Sequence, residues 1–566
     1  MEGLWLFCKR KYGILQRGLV KAKIPPSLLP KTRRAVMKLR RKLMWKSQTR
    51  LLITEMIIYF IFLVVVYVLA LSSSDDRAYQ LKHQIDNRLE FEKLNDQADF
   101  LEWMNVSFFD LYFPATVFDV QEVPHELKYF FIDFANVRVG PARLRQVRVK
   151  EELCAFGLIE KEMCFAEYQL TNEDAADYFI GWKDGRFRTE QVKEYTFTAW
   201  HHVSAFDIWG LPTSGNYNKK LYGGGGYIIK LDINRDVSEK IITELKENKW
   251  IDRGTRAVFL EFTLYNSNVN LFSFVKYVRE YPEVGDVWSY SYVSTFRLYY
   301  DKDSYVICSF IFILFVVLLF LKICYDLYIN GTYYFNALWN ITDFIMFPLG
   351  IVSAGLLFFR QKMTRETVDK YHEDQNEYVN FEQLAFANSL LISLLAILLY
   401  YATLRLIRIQ GRSKWFDRVL RVLQRARWDL TGFFIVFLII FSSFISLGYL
   451  FFGRLVYEYR DPFTVLATLS RALLGQGSFL NLVKSSPNLA EFYYVTFVFL
   501  VLFCLITMAT AILNASITLV KRKVTSYEEK GLDDIIYKLF GKFMAWFRRR
   551  NITRVKDIDH ADILKG

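Results

Sequence analysis

The sequence predicts an α-helical polytopic membrane protein, with six transmembrane helices and an α+β extracellular domain between spans one and two. Three observations carry this reading. The chain of 566 residues is 53% hydrophobic before glycine is counted, and 23% of it is still charged. Ordinary globular usage is about 45–50% apolar with glycine included. Six windows hold the roughly 20 mostly apolar residues that a spanning helix needs. Between the first two windows lies a long stretch, 72–302, whose second half alternates like β-strands. Disorder, collagen and small disulfide scaffolds are excluded by the hydrophobicity, by only 27 glycines and by only 6 cysteines.

The elements follow in chain order. Residues 1–50 form a basic arm, with fifteen Lys and Arg against the single acid Glu2. A basic arm abutting an apolar helix reads as a cytoplasmic flank on anionic lipid rather than as a nucleic-acid site. No short apolar region precedes residue 51, so the first span is expected to be its own anchor. The spans are Leu51–Leu71, Tyr305–Tyr325, Leu338–Phe358, Leu384–Leu404, Leu430–Phe452 and Phe492–Val520. The Arg405–Asp429 linker is basic, the Arg360–Gln383 loop is acidic, and the tail 521–566 is basic. Positive charge therefore marks one side, and both termini are expected in the cytoplasm.

The stretch 72–302 then faces the outside or a lumen. Strands are expected over Tyr227–Leu231 and Val258–Leu264, with a helix over Val237–Lys249 between them. Cys154 and Cys164 are its only cysteines. An oxidising compartment makes a disulfide between them plausible, the alternative being two free thiols. Cys8, Cys308, Cys324 and Cys504 fall in membrane or cytoplasmic segments and are expected to stay reduced. Asn105-Val-Ser107 is the one glycosylation sequon of the domain.

Between the last two spans lies Asp461–Leu474, too short to cross a membrane and apolar on one face. It ends in Gly475-Gln476-Gly477-Ser478-Phe479. A short helix and a glycine turn between two spans outline a re-entrant pore loop, the alternative being an ordinary external helix. Elsewhere, Gly223–Gly226 lacks the Lys-Ser/Thr of a phosphate loop and reads as a turn. His201-His202 has no zinc-spaced partner and reads as structural. Asp232-Ile-Asn-Arg-Asp236 lacks the glycine of a calcium loop. No hydrolase or metalloprotease motif occurs, so no enzyme, metal site or cofactor is expected.

Several motifs resemble the polycystins of the transient-receptor-potential channel superfamily. Gly140-Pro-Ala-Arg-Leu-Arg-Gln-Val-Arg-Val149 is similar to the family's arginine-rich segment, which runs into a cysteine, here Cys154. Tyr222-Gly-Gly-Gly-Gly-Tyr227, Trp250-Ile-Asp-Arg-Gly-Thr-Arg-Ala-Val-Phe259 and Tyr265-Asn-Ser-Asn-Val-Asn-Leu-Phe272 follow in family order. Trp339-Asn340-x-x-Asp343 also matches. The resemblance covers about residues 50–523. It implies a tetramer, with a voltage-sensor-like four-helix unit over the first four spans. It also implies a two-helix pore module over 430–520 with its loop at 461–481, and an outer domain joining neighbouring subunits.

The resemblance also assigns residues. Leu474, Gly475 and Gln476 stand where channel-forming polycystins carry Leu-Gly-Asp, so the selectivity filter has lost its ring of acid. Asn481 stands where a further acid is often found. Asn514 stands at the inner-gate asparagine, and Thr510 one turn before it replaces a leucine. Asp343, Arg405 and Arg408 belong to the voltage-sensor-like unit. The arginines either pair with Asp343 or snorkel to the cytoplasmic interface, and the second is favoured because a strong voltage sensor carries more regularly spaced arginines. The calcium loop and coiled coil of some relatives are missing from the tail, and Lys538–Arg550 could lie on the inner leaflet.

The expected function is therefore a pore-forming subunit of a tetrameric non-selective cation channel, with calcium among the candidate permeating ions, or else a non-conducting or regulatory/sensory partner subunit of a heteromer. Expected partners are further polycystin subunits, membrane lipid and the permeating cations, with no nucleic acid. Plasma or ciliary membrane is the expected location, with the endoplasmic reticulum as the alternative.

Overall fold

The structure is a computed structural model. It describes residues 54, 57–89, 99–117, 121–122, 124, 127–154, 163–184, 196–216, 219–299, 303–336, 338–410, 414–476 and 479–524. The basic arm 1–50 and the tail beyond 524, with Cys8 and Lys538–Arg550, lie outside the described residues. The chain divides into two compact units, Met1–Ala402 and Thr403–Gly566.

Unit one is built around a seven-stranded antiparallel sheet. Its strands are β1 (Asn136–Arg138), β2 (Arg143–Arg148), β3 (His202–Val203), β4 (Gly226–Lys230), β5 (Thr255–Asn266), β6 (Leu271–Glu280) and β7 (Trp288–Phe296). The order is β7-β6-β5-β2-β4-β3, with β1 also pairing β5. The two strands expected from alternation are β4 and the middle of β5. The expected helix is α3 (Arg235–Glu247), preceded by α1 (57–73) and α2 (Asp76–Leu89).

Alternation along β5 sorts its side chains onto two faces. Val258, Leu260, Phe262 and Leu264 point into a core shared with Leu81 and Ile85 of α2, with Ile241, Ile242 and Leu245 of α3, and with the short helices around Phe100–Tyr112. The opposite face carries Phe259 and Glu261. Both faces are covered, so β5 is buried almost throughout.

The covered second face holds charge. Glu261 sits opposite Arg143 of β2 and Lys276 of β6 in the strand register. It accepts from Arg143 Nε at 2.8 Å and from Arg145 Nε at 3.4 Å, with Lys276 Nζ at 3.6 Å. Arg145 also donates to the carbonyls of Gly223 and Gly225, at 2.8 and 3.0 Å. Lys276 pairs further with Glu382. Burial alone would push the Glu261 carboxyl up. Arg143, Lys276 and Arg145 overcome that and hold it well below the ordinary carboxylate value.

The unit's four long helices are α1, α4 (Asp303–Asn330), α5 (Leu338–Glu373) and α6 (Glu382–Gln410), the last crossing into unit two. α5 has 36 residues, about 54 Å at 1.5 Å per residue, against a hydrocarbon core of about 30 Å. Its last turns therefore project from the membrane, and most of the expected Arg360–Gln383 loop is helix. The projecting part packs on the sheet. Arg360 donates to the carbonyls of Arg297 and Leu298. Val379, Phe381, Leu384 and Ala385 pack with Val139, Phe274 and Phe296.

Unit two contains α7 (Lys414–Phe452), α8 (Pro462–Leu473), α9 (Phe479–Ser485) and α10 (Pro487–Phe497). A π-helix over Val498–Leu505 follows, then α11 (Ile506–Val524). The expected linker 405–429 is therefore helical at both ends, in α6 up to Gln410 and in α7 from Lys414 onward. Its basic residues extend span five without a break because nothing between 414 and 430 stops a helix: it contains neither Pro nor Gly. Six described helices are long and apolar enough to cross a membrane.

Glu261→Gln leaves Arg143, Arg145 and Lys276 around a neutral amide. It should destabilise the sheet domain by about 3–5 kcal/mol, read as a lower melting temperature of the purified protein. A carboxyl held low in the fold contributes stability that is complete above its unfolded value of about 4.3 and fades as pH falls through the folded one. The gap between wild type and variant should stay constant from about pH 8 to pH 5 and narrow below about pH 4. A gap that is unchanged down to pH 3 would refute this role for Glu261.

Candidate functional site

The segment between spans five and six is organised by capping. Asp461 starts α8: its Oδ1 accepts from the amides of Phe463 and Thr464 at 3.0 and 2.9 Å. The Thr464 hydroxyl accepts from the Asp461 amide, completing a capping box, and Pro462 fits the first turn. At the other end Gly475 takes φ +78°. The Gln476 amide donates to the Arg471 carbonyl and the Gly475 amide to that of Ala472, each at 3.0 Å. This is a Schellman closure, which places a glycine in the left-handed region to end a helix sharply. Leu474, Gly475 and Gln476 are thereby brought together in one exposed turn. They sit at the C-terminal end of α8, where the helix dipole favours a cation.

Aromatic packing holds this turn. Val465, Leu469 and Ala472 of α8 face a core of Phe444, Phe452, Tyr459, Tyr493 and Phe497. The Tyr493 hydroxyl donates to the Phe444 carbonyl at 2.9 Å across the two long helices. Gly448 makes room for it: a Cβ there would lie 2.5 Å from the Tyr493 hydroxyl. Asn481, on α9, donates to Glu458 Oε1 at 3.0 Å. The Glu458 carbonyl accepts from Thr468 of α8 at 3.2 Å.

Thr510 and Asn514 lie one turn apart on an exposed side of α11. The Thr510 hydroxyl donates to the Thr507 carbonyl at 2.8 Å, and the Asn514 carbonyl accepts from Thr518 at 2.9 Å. The π-turns just upstream each take an extra residue. They rotate the face bearing Thr510 and Asn514 away from where an uninterrupted α-helix would put it. Apolar periodicity cannot reveal this rotation, because Val498–Leu505 is apolar at every position.

Asp343 is 2% exposed and pairs with Lys322 of α4, Nζ to Oδ2, at 3.2 Å. Sequence reasoning missed Lys322. The available signal was a lone cation near the end of an apolar window. Arg405 is 8% exposed. The Arg408 side chain lies outside the described residues, as do those of Trp339 and Cys504. Cys154 and Cys164 are joined in a disulfide with their Cα atoms 5.0 Å apart. Asn105 is half-buried within a helical turn, Met104–Phe108, rather than on a loop. His202 lies 3.5 Å from Glu173. Glu458, Tyr493 and Gly448 were likewise not singled out from sequence, since their roles arise from contacts across the chain.

Two substitutions probe this geometry. Gly448→Ala should destabilise by about 1–3 kcal/mol through overpacking, and Tyr493→Phe in the same background should recover part of the lost melting temperature. No recovery would mean that the hydroxyl is not what fills the space. Gly475→Ala meets no atom within 4 Å, so only the left-handed backbone opposes it, at about 1–2 kcal/mol. Hydrogen exchange of the Gln476 amide should quicken in this variant and return towards wild type in Gly475→Asn, whose side chain tolerates that region. Equal exchange in all three forms would show that the closure does not protect the amide.

Comparisons with known proteins cover most of the chain. A family model described as Polycystin domain matches residues 90–299, and one described as Polycystin cation channel matches residues 300–520. Polycystin-2-like protein 1 of Homo sapiens is 27% identical over 526 residues, which is 90% of this chain and 63% of that protein. Polycystin-2 of Danio rerio is 28% identical over 482 residues, 83% of this chain and 51% of that protein. Polycystin-2-like protein 2 of Mus musculus is 26% identical over 495 residues, 84% of this chain and 77% of that protein. The chain thus spans only about half to two thirds of the human and zebrafish relatives. Six apolar helices, a sheet domain between the first two and matches that meet at residue 300 agree with one another: the chain is an integral multi-pass membrane protein and belongs to the polycystin family.

Proposed function

We propose that this chain is a pore-forming subunit of a tetrameric, poorly selective cation channel. One observation carries the reading. α8 stops in a glycine-closed turn between two apolar helices, so its negative dipole end and the carbonyls of Leu474, Gly475 and Gln476 are presented together. The amides of the turn are spent on capping the carbonyls of Arg471 and Ala472. The carbonyls beyond them are left to replace an ion's water. Four such turns around an axis would make a short filter, with Thr510 and Asn514 lining the exit below.

In this reading 430–520 is the pore module and 303–404 completes a voltage-sensor-like unit with the first span. The Asp343–Lys322 pair stabilises that unit. The sheet domain faces outward, Asn105 carries its glycan, and residues 1–50 and 521–566 are cytoplasmic. The partners are further polycystin subunits, in a plasma or ciliary membrane.

Gln476 is exposed and neutral, so the filter has no four-fold ring of carboxylates. Monovalent cations are then expected to pass at least as well as calcium. The same neutrality favours a second reading, a non-conducting partner whose role is to assemble with another subunit.

Whole-cell recording separates the two readings. Cells expressing wild type or Gln476→Asp are bathed in sodium, calcium or a large organic cation. A current whose calcium-to-sodium preference rises with the added acid places residue 476 in the ion path. Absence of current from both forms at the cell surface, with another polycystin's current altered on co-expression, would select the partner reading.

A further inference from the structure

We propose that the turn Ser204–Leu211 is a lipid anchor, which inserts Phe206 and Trp209 into the headgroup boundary of the leaflet on the sheet domain's side. A short helix, Ala205–Ile208, begins at Ser204, whose hydroxyl accepts from the Asp207 amide at 3.4 Å. It ends at Trp209, a bulky residue held at φ +51°. Phe206 is 90% exposed and Trp209 72% exposed. No described large apolar side chain is more exposed than Phe206. Two large rings thrust out within four residues would be a liability in water.

The depth of the turn is set by hydrogen bonds to the start of α6. Asn380 Nδ2 donates to the Ile208 carbonyl at 3.3 Å, and Gln383 Nε2 to the Trp209 carbonyl at 2.6 Å. The apolar run of α6 begins at the next residue, Leu384. The Trp209 backbone is therefore within one side chain of the level where span four leaves the hydrocarbon. Aromatic rings gather at this layer because they are apolar in body and, for indole, polar at one edge. Phe386, one turn further along α6, is also exposed, so the apolar surface continues towards the acyl region.

The glycine run explains why the turn is held rigidly. A Cβ on Gly210 would lie 2.0 Å from the Gly224 carbonyl oxygen, and one on Gly224 would lie 2.2 Å from that of Gly210. A Cβ on Gly225 would lie 2.7 Å from the Val203 carbonyl oxygen. The two strips lie backbone on backbone, which only glycine allows. The run read from sequence as a plain turn thus acts as a seat that fixes the aromatic pair against the sheet. Lipid is the occupant because span four itself sets the depth. The inference holds whether or not the chain conducts.

The test uses the full chain in phosphatidylcholine nanodiscs. Cys8, Cys308, Cys324 and Cys504 are replaced by serine and the Cys154–Cys164 disulfide is kept. A nitrobenzoxadiazole label is placed through Phe206→Cys or, as a second variant on the same turn, Asp207→Cys. Leu170→Cys serves as the reference. Leu170 is exposed on a turn that bonds Lys150, beyond the end of β2 opposite the contact of Arg143 with Tyr378.

Labels on the 204–211 turn should be quenched several-fold more than the reference by lipid bearing a doxyl group near the headgroup end of its chain. They should also be shielded several-fold from iodide. Iodide quenching equal to the reference overturns the anchor. So does shielding from both quenchers with photo-crosslinking of position 206 to a second copy, which would make the turn a subunit contact.

Discussion

The buried carboxylate of Glu261 is the constraint on which the sheet domain depends. It lies on the central strand, and the register sets Arg143 and Lys276 directly across from it. A charge in such a place is tolerated only with partners, because desolvation costs several kcal/mol per ion. Arg145 and Lys276 pass the requirement outward, the first to the carbonyls of the glycine run and the second to Glu382. Glu382 opens α6. One carboxylate therefore ties the arginine-rich strand, the glycine run and the head of a membrane helix into a single network.

That tie also explains the long third helix. α5 outlasts the membrane: Arg360 donates to the carbonyl of Leu298 just past β7, and Met363, Val368 and Tyr371 pack on the cluster that Val379–Ala385, beyond α5, forms with the sheet. The sheet has an apolar face and a second face where paired charge sits among apolar residues, so it needs covers on both. Its own helices cover the first face. The segment between spans three and four covers part of the second, and Phe165, Tyr168 and Tyr222 cover another part. A domain built this way is held to unit one's membrane helices by packing and charge as well as by the chain.

In unit two the same accounting concerns backbone groups. A helix must dispose of the free amides at its start and the free carbonyls at its end. α8 does so through a capping box at Asp461 and a glycine closure at Gly475. Aromatic side chains from α7 and α10 then clamp it. The result is a short turn of exposed backbone, closed by hydrogen bonds to the last turn of α8.

Much of this is legible in the residues. The six spans come from length and apolarity, β4 and β5 from alternation, and α8 from its amphipathic stretch before a glycine. The family motifs can be read directly. Each of these signals is local, or repeats along the chain with a fixed period, so neighbouring residues are enough to show it. What required the fold was everything set by register and approach. Alternation places Glu261 on a face, but only strand pairing puts Arg143 and Lys276 beside it. Lys322 is one cation in an apolar window until α4 meets α5 at Asp343. Gly223–Gly226 reads as a turn until Gly210 is laid against it, and the π-turns of span six hide in a run with no polar residue. Sequence determined which segments cross the membrane and which turn. The tertiary structure decided which charges are paired and which backbones touch, because those depend on residues far apart in the chain meeting within a few ångströms.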